Sequence, residues 1–313
     1  MDTILLLVGL LLILGGANYL TDGAVAIAKR FEISEFVVGL TIVAIGTSMP
    51  EMVVSVISAI QGNGDIAVGN VVGSNVFNTF AILGLCAFVR PVYLSADNIR
   101  KDIPLGVIVS AILVLVAMPG YINRPHGMAM LIAYLALMFY SIRKGKTTTV
   151  DKDNQSPHQN SAPQMRMWLA VLLVIGGLAA LIGGGQLFLD SAVRIAEYFG
   201  IPQSVIAITL VAGGTSLPEL AASVVSLIKG KSDIALGNVI GSNIANILLV
   251  LGASSAITPL SLGGVTIVDV LVVLGGSLML WVVPTVFKKN RLSRLESVIM
   301  LLVFVGYIYY IVA

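Results

Sequence analysis

Residues 37–60 read VVGLTIVAIGTSMPEMVVSVISAI, and residues 205–228 read VIAITLVAGGTSLPELAASVVSLI. Each stretch is apolar and long enough to cross a bilayer, which takes about 20 residues. Each nevertheless carries one carboxylate, Glu51 in the first and Glu219 in the second, behind the same Gly-Thr-Ser-x-Pro lead. A charged side chain at membrane depth costs about 2.5–3.5 kcal/mol on insertion scales, so it marks function before packing. Two of them in matched settings predict one cation site assembled from two parts of the chain.

The repetition extends well beyond the glutamates. Their offset of 168 positions also relates Asp22 to Asp190, Thr41 to Thr209 and Asp65 to Asp233. It carries Asn70, Gly73, Ser74, Asn75 and Asn78 onto Asn238, Gly241, Ser242, Asn243 and Asn246 without a gap. Roughly half of positions 22–78 recur unchanged, more than shared hydrophobicity supplies. A duplicated unit of this length is the first organising fact of the chain.

Composition fixes the class. The 313 residues are 57% hydrophobic and 11% charged, which excludes an ordinary soluble domain. Ten apolar runs are legible, near 3–21, 36–60, 66–89, 103–119, 127–142, 168–188, 204–228, 234–257, 265–287 and 295–312. The expected fold is therefore an all-α membrane protein with ten transmembrane helices. Its first run lacks a basic leader and a cleavage pattern, so it reads as a helix rather than a removed signal peptide. Cys86 is the single cysteine, which excludes disulfides and cysteine metal sites. A net charge of +2 offers no surface for nucleic acid; the lipid bilayer is the expected surrounding partner.

Placing ten helices sends 16 of the 18 Lys and Arg residues to loops of one side, with only Arg124 and Arg194 on the other. By the positive-inside rule the crowded side is cytoplasmic and both termini lie outside. The polar stretch 144–167, rich in Ser, Thr, Asn and Gln, reads as a cytoplasmic linker. It divides the chain into a first five-helix repeat, 1–143, and a second, 168–313. Five crossings are an odd number, so the second repeat is inserted upside down. Inverted repeats generate a pseudo-two-fold axis in the membrane plane, the plan of secondary transporters, with the site at the midplane between the repeats.

Local chemistry explains the motif. Gly46 weakens its helix, and Pro50 lacks an N–H and clashes with the carbonyl four residues back. Breaks are expected over Ala44–Pro50 and Ala212–Pro218, freeing carbonyls and hydroxyls beside Glu51 and Glu219. The GNVVGSNVFN and GNVIGSNIAN segments place Ser74 four residues before Asn78, and Ser242 four before Asn246. Positions i and i+4 share a helix face, so helices two, three, seven and eight would line the site, each broken. All these donors are hard oxygens, which suit Ca2+ and Na+ rather than Zn2+ or Cu+. The bland readings differ in strength. Gly39, Gly69 and Gly237 equally suit close helix packing, and Ser74 and Ser242 equally suit backbone bonding, but paired buried glutamates have no comparable structural reading. Gly62-Asn63-Gly64-Asp65 resembles the signature of intramembrane aspartyl proteases. It falls in a short turn, without a second catalytic aspartate motif, so no enzyme is expected.

The doubled GTSxPE and GNxxGSN segments resemble the alpha-repeats of the sodium/calcium exchanger family, within the cation/calcium antiporters, and the likeness covers both halves. It implies inverted five-helix repeats that exchange cytoplasmic Ca2+ for external Na+ by alternating access. Carried over by motif, the ion ligands are Ala44, Thr47, Ser48, Glu51, Ser74 and Asn78 in the first half. In the second half they are Ala212, Thr215, Ser216, Glu219, Ser242 and Asn246, with backbone carbonyls serving at Ala44, Thr47, Ala212 and Thr215. The resemblance further implies no cofactor besides the transported ions, function as a monomer, and residence in the inner (plasma) membrane of a bacterium or archaeon. Several relatives, including potassium-dependent exchangers, have Asp at the position of Asn246, so this chain keeps only two central carboxylates. A Ca2+/H+ antiporter is the alternative, although proton-coupled relatives carry Gly-Asn-Ala-x-Glu in place of GTSxPE.

Overall fold

The computed structural model describes residues 2–145, 165–200, 212–287 and 290–312. Most of the expected linker, and Thr209, lie outside the described residues. The described chain is almost entirely helical: α1 (Asp2–Phe31), α2 (Glu35–Thr47), α3 (Met49–Ile60), α4 (Gly64–Val89), α5 (Ile103–Ala117), α6 (Arg124–Gly145), α7 (Met167–Tyr198), α8 (Leu217–Ile228), α9 (Ser232–Ile257), α10 (Ile267–Val286) and α11 (Arg294–Val312). Seven of these, α1, α4, α6, α7, α9, α10 and α11, are long and apolar enough to cross a membrane, and the bent pair α2–α3 makes an eighth span. The run near 103–119 forms the 15-residue α5. The run near 204–228 is described only from Ala212, where a single turn, Ala212–Gly214, precedes α8.

The motif breaks its helix as its glycine and proline demand. The axes of α2 and α3 differ by 48°, with Ser48 between them and Pro50 in the first turn of α3, where its missing N–H costs nothing. The same residues recur in the second half, with Ser216 capping α8 and Pro218 in its first turn. Breaks expected in the third and eighth spans are absent: α4 and α9 run through without interruption. Their irregularity takes the form of π-helical turns at Phe77–Ile82 and Ala245–Leu251. Neither segment contains the Gly-to-Pro spacing that severs α2 from α3. A wider turn keeps the ladder while re-aiming the side chains around Asn78 and Asn246.

Burial orders the helices into an inner and an outer set. α9 is the most enclosed, followed by α4, whereas α1, α6, α7 and α11 turn large apolar side chains outward. The inner pair is flanked by α2, α3 and α8. Gly39 of α2 lies so close to α9 that a Cβ there would stand 2.6 Å from Ile234 O, and one on Gly241 would stand 2.6 Å from Leu40 O. α1 and α7 form an antiparallel pair in which Gly9 meets Gly184, Gly16 meets Gly177, and Gly23 meets Ala170 and Val174. In lipid, where apolar burial gives no net drive, such close backbone contact is what holds two helices together. α1 and α7 have 30 and 32 residues, about 45–48 Å at 1.5 Å per residue. They exceed a hydrocarbon core of about 30 Å and must tilt or project beyond it. The sequence reading had ended the first span at residue 21. The helix continues because Thr21 bonds Ala17 O and Ser226, and Asp22 pairs with Lys229 at 2.6 Å, so these polar groups do not need to leave the helix.

The loops meet at two ends. At one, β1 (Val92–Tyr93) pairs antiparallel with β4 (Arg291–Leu292), Arg90 donates to Leu227 O, and Lys231 pairs with Glu35. At the other, β2 (Tyr121–Ile122) pairs antiparallel with β3 (Leu260–Ser261), and Arg194 pairs with Asp2. Each small sheet joins one strand from each half, so exchanging the halves exchanges the sheets.

The α1–α7 contact makes a direct prediction. A Cβ on Gly16 would stand 2.7 Å from Gly177 O, whereas Gly15, its neighbour, has nothing within 4 Å. Overpacking of this kind costs about 1–3 kcal/mol. Thermal unfolding of the purified protein in detergent should show Gly16→Ala melting below wild type, and Gly15→Ala at or above it.

Candidate cation site

Glu51 and Glu219 occupy the first turns of α3 and α8 and have no solvent exposure. The break places each at a helix N-terminus, where the macrodipole and free N–H groups favour negative charge. Each is then held by the opposite half of the chain. Ser48 Oγ donates to Glu219 Oε1 at 3.1 Å, and Ser216 Oγ donates to Glu51 Oε1 at 3.1 Å. These reciprocal bonds bring the two carboxylates and the two breaks into a single buried site. Ser74 of α4 joins it through Ser216 Oγ, 3.4 Å away, and Ser74 and Thr215 both face Glu51. Thr47 likewise faces Glu219.

One oxygen of each carboxylate is used by a serine; the other, Oε2, is buried without a hydrogen-bond partner. The same holds for Thr215 Oγ1, Ser242 Oγ and both amide atoms of Asn78 and Asn246. A buried polar group left unpaired costs about 1–3 kcal/mol, and folded proteins contain few. Of 13 such atoms among the described residues, eight belong to the expected ligands, and six of those eight are oxygens. A set of this kind matches the six to eight oxygens that Ca2+ takes, from carboxylates, hydroxyls and amides. Among the described residues no cluster of three Asp, Glu, His or Cys side chains occurs. The donors on offer are two carboxylates and several neutral oxygens, a set that suits a hard cation.

The remaining expected ligands are placed by their helices. Ala44 is fully buried and touches α9 at Gly241, next to Ser242. Asn78 and Asn246 sit in the π-helical turns within α4 and α9, four residues past Ser74 and Ser242. Ala212 opens the short turn before Thr215. Other polar residues shared by the repeats lie elsewhere: Thr41 bonds its own helix at Val37 O, Asp22 faces Lys229, and Asp65 opens α4.

Two residues around the site were missed from sequence. Asn70 Nδ2 donates to Glu51 O at 3.2 Å and to Ser55 Oγ at 2.9 Å. Asn238 Nδ2 donates to Glu219 O at 3.3 Å and to Ser223 Oγ at 2.9 Å. Each asparagine ties the helix carrying a glutamate to the adjacent inner helix. An amide at the same place in both copies of an apolar segment was the available signal.

The surroundings are unequal. Ile234 and Gly241 of α9 are buried against α2, while their counterparts on α4, Ile66 and Gly73, are exposed, Ile66 by 51%. Among the described residues, α2 covers α9, and none takes the equivalent place on α4.

Known proteins resemble this chain along nearly its whole length. A family model described as sodium/calcium exchanger protein matches residues 1–143 and 169–313. CaxA of Alkalimonas amylolytica is 37% identical over 310 residues, covering 98% of this chain and 97% of its own. The sodium/calcium exchanger MaX1 of Methanosarcina acetivorans is 31% identical over 345 residues, covering 97% of each. Among solved structures, the sodium-calcium exchanger NCX_Mj prepared without Na+ and Ca2+ superimposes with a TM-score of 0.87 at 29% identity, covering 99% of this chain and 98% of that one.

The site predicts cation-dependent stability. A ligand at about 100 times its Kd adds about 2.7 kcal/mol to a fold that alone binds it. Millimolar Ca2+ should raise the melting temperature of the wild-type protein in detergent. Glu51→Gln and Glu219→Gln should each lose that rise while folding normally in its absence; a full rise in both would remove the glutamates from the site.

Proposed function

The chain belongs to the sodium/calcium exchanger family, and from that footing we propose that it is a secondary antiporter trading Ca2+ for Na+ across the membrane by alternating access. The family is one of transporters rather than enzymes, and it needs no cofactor beyond the transported ions. The observation that carries the proposal is the crossed pair of serine–glutamate bonds, which makes one buried site out of both halves.

Coupling follows from electrostatics. Two ionised glutamates in a low-dielectric interior repel one another and resist enclosure. One Ca2+, or two or more Na+, neutralises them. The loaded carrier therefore closes and reopens on the other side, while the empty one is held back by its own charge. Because the ions compete for the same oxygens, each crossing of one is matched by a return of the other. The ligand set is Ala44, Thr47, Ser48, Glu51, Ser74 and Asn78 with Ala212, Thr215, Ser216, Glu219, Ser242 and Asn246. The buried, unpartnered oxygens described above support it.

We read the architecture as ten spans in two inverted repeats, 1–143 and 168–313, joined by 144–167. The reciprocal bonds and the exchanged sheets support a two-fold relation between the halves. The end bearing Arg90, Lys229, Lys231 and Arg291 is assigned to the cytoplasm, with both termini outside and the protein in a prokaryotic inner membrane as a functional monomer. On that orientation the side of the site where α2 covers α9 faces the cytoplasm and the side along α4 faces out.

Proton coupling is the second reading, because buried carboxylates with one unpaired oxygen each can take protons where Na+ would bind. Uptake of 45Ca2+ into proteoliposomes separates the two. With pH clamped, Na+-loaded vesicles should accumulate Ca2+ and K+-loaded vesicles should not. Uptake driven by a pH gradient without Na+ would replace Na+ coupling with H+ coupling. Ser74→Ala and Ser242→Ala should shift the internal Na+ concentration that half-activates uptake; unchanged activation in both would take them off the ligand list.

A further inference from the structure

The two asparagines beside the glutamates are identical in sequence setting and different in bonding. Asn238 is fully buried and uses both ends of its amide: Nδ2 holds Glu219 O and Ser223, while Oδ1 accepts from Thr47 Oγ1 at 3.2 Å. This last bond crosses between the halves, pinning the break of α2 to the helices that carry Glu219. Asn70 holds Glu51 O and Ser55 in the same way, but is half-buried and receives nothing from Thr215. The hydroxyl of Thr215 is buried without a hydrogen-bond partner and faces the Glu51 carboxylate. Among the described residues, the bonded side has Ile234 at 0% exposure and the unbonded side has Ile66 at 51%.

We infer that Asn70 and Asn238 are positioning residues that clasp Thr215 and Thr47 in alternation, one clasp closed in each access state. The inference rests on the alternating-access reading above. Residues 46–51 and 214–219 differ only at Met49 and Leu217, and the asparagines keep the same spacing behind them. Whatever bond one side can make is therefore available to the other. Swapping the roles of the halves gives a second state in which Thr215 Oγ1 donates to Asn70 Oδ1 and Thr47 Oγ1 lets go of Asn238. A closed clasp fixes the threonine, and with it the backbone carbonyl offered to the ion, against the inner helix. An open clasp leaves that wall free to part. Because each asparagine also holds the backbone of its glutamate, ligand position and closure are set by the same amide.

The test measures access and needs no transport, so it stands apart from the question of Na+ coupling. In a Cys86→Ser background, Ile66→Cys and Ile234→Cys report the two sides by their maleimide labelling rates in lipid nanodiscs, in K+ buffer free of Na+ and Ca2+. Loss of one hydrogen bond is worth about a five-fold change in the balance of states. Thr47→Val should lower the ratio of Ile66→Cys to Ile234→Cys labelling about five-fold, and Thr215→Val should raise it by about as much. The double variant should return close to the starting ratio. Asn238→Ser and Asn70→Ser should follow Thr47→Val and Thr215→Val respectively, which covers a threonine variant that fails to fold. Shifts in the same direction for both sides, or an unchanged ratio, would overturn the alternation.

Discussion

Two carboxylates buried in one low-dielectric site set the terms for the rest of the molecule. Among the described residues neither Glu51 nor Glu219 has a cationic partner, and each is wholly enclosed. Breaking the helix just before each glutamate puts a helix N-terminus under the charge. Crossing the serines gives each carboxylate a donor from the opposite half. These devices are enough to gather the charges but not to neutralise them, and on the proposed function a transported cation makes up the shortfall. A third carboxylate would change the number of ions required, and Asn78 and Asn246 keep that position neutral in both halves.

Assembly of the site from two halves has a mechanical consequence. No single helix carries all the candidate ligands, so a relative movement of the inner helices would change how the oxygens are presented. Glycines allow this to occur between rigid bodies. α2 sits against α9 with backbone nearly touching backbone at Gly39 and Gly241, while among the described residues nothing packs on α4 at Gly73. Outside them, α1 and α7 are bound to each other through their glycines and to α8 through Thr21 and Ser226. Such packing has two discrete arrangements more readily than a continuum.

Much of this was legible in the sequence because the duplication is ungapped and the site chemistry is concentrated. The offset of Glu51 from Glu219, the break before Pro50 and the serine–asparagine spacing in α4 and α9 each followed from residue type and position. Three features were not legible, for physical reasons. π-helical turns around Asn78 and Asn246 replace the expected breaks, since nothing local distinguishes a wide turn from a severed one without a proline. α1 extends past Asp22 because a lysine distant in sequence, Lys229, compensates it. Asn70 and Asn238 show their roles only once the inner helices are placed against α3 and α8.

The central claim is that one cation is shared by both halves, between Glu51 and Glu219. Anomalous diffraction from crystals soaked in Ca2+ or Sr2+ tests it without reference to transport. A single strong central peak, within about 2.3–2.6 Å of carboxylate oxygens from both glutamates for Ca2+, is the predicted result. A cation ligated by one half alone, or density away from both carboxylates while the protein remains folded, would contradict the account.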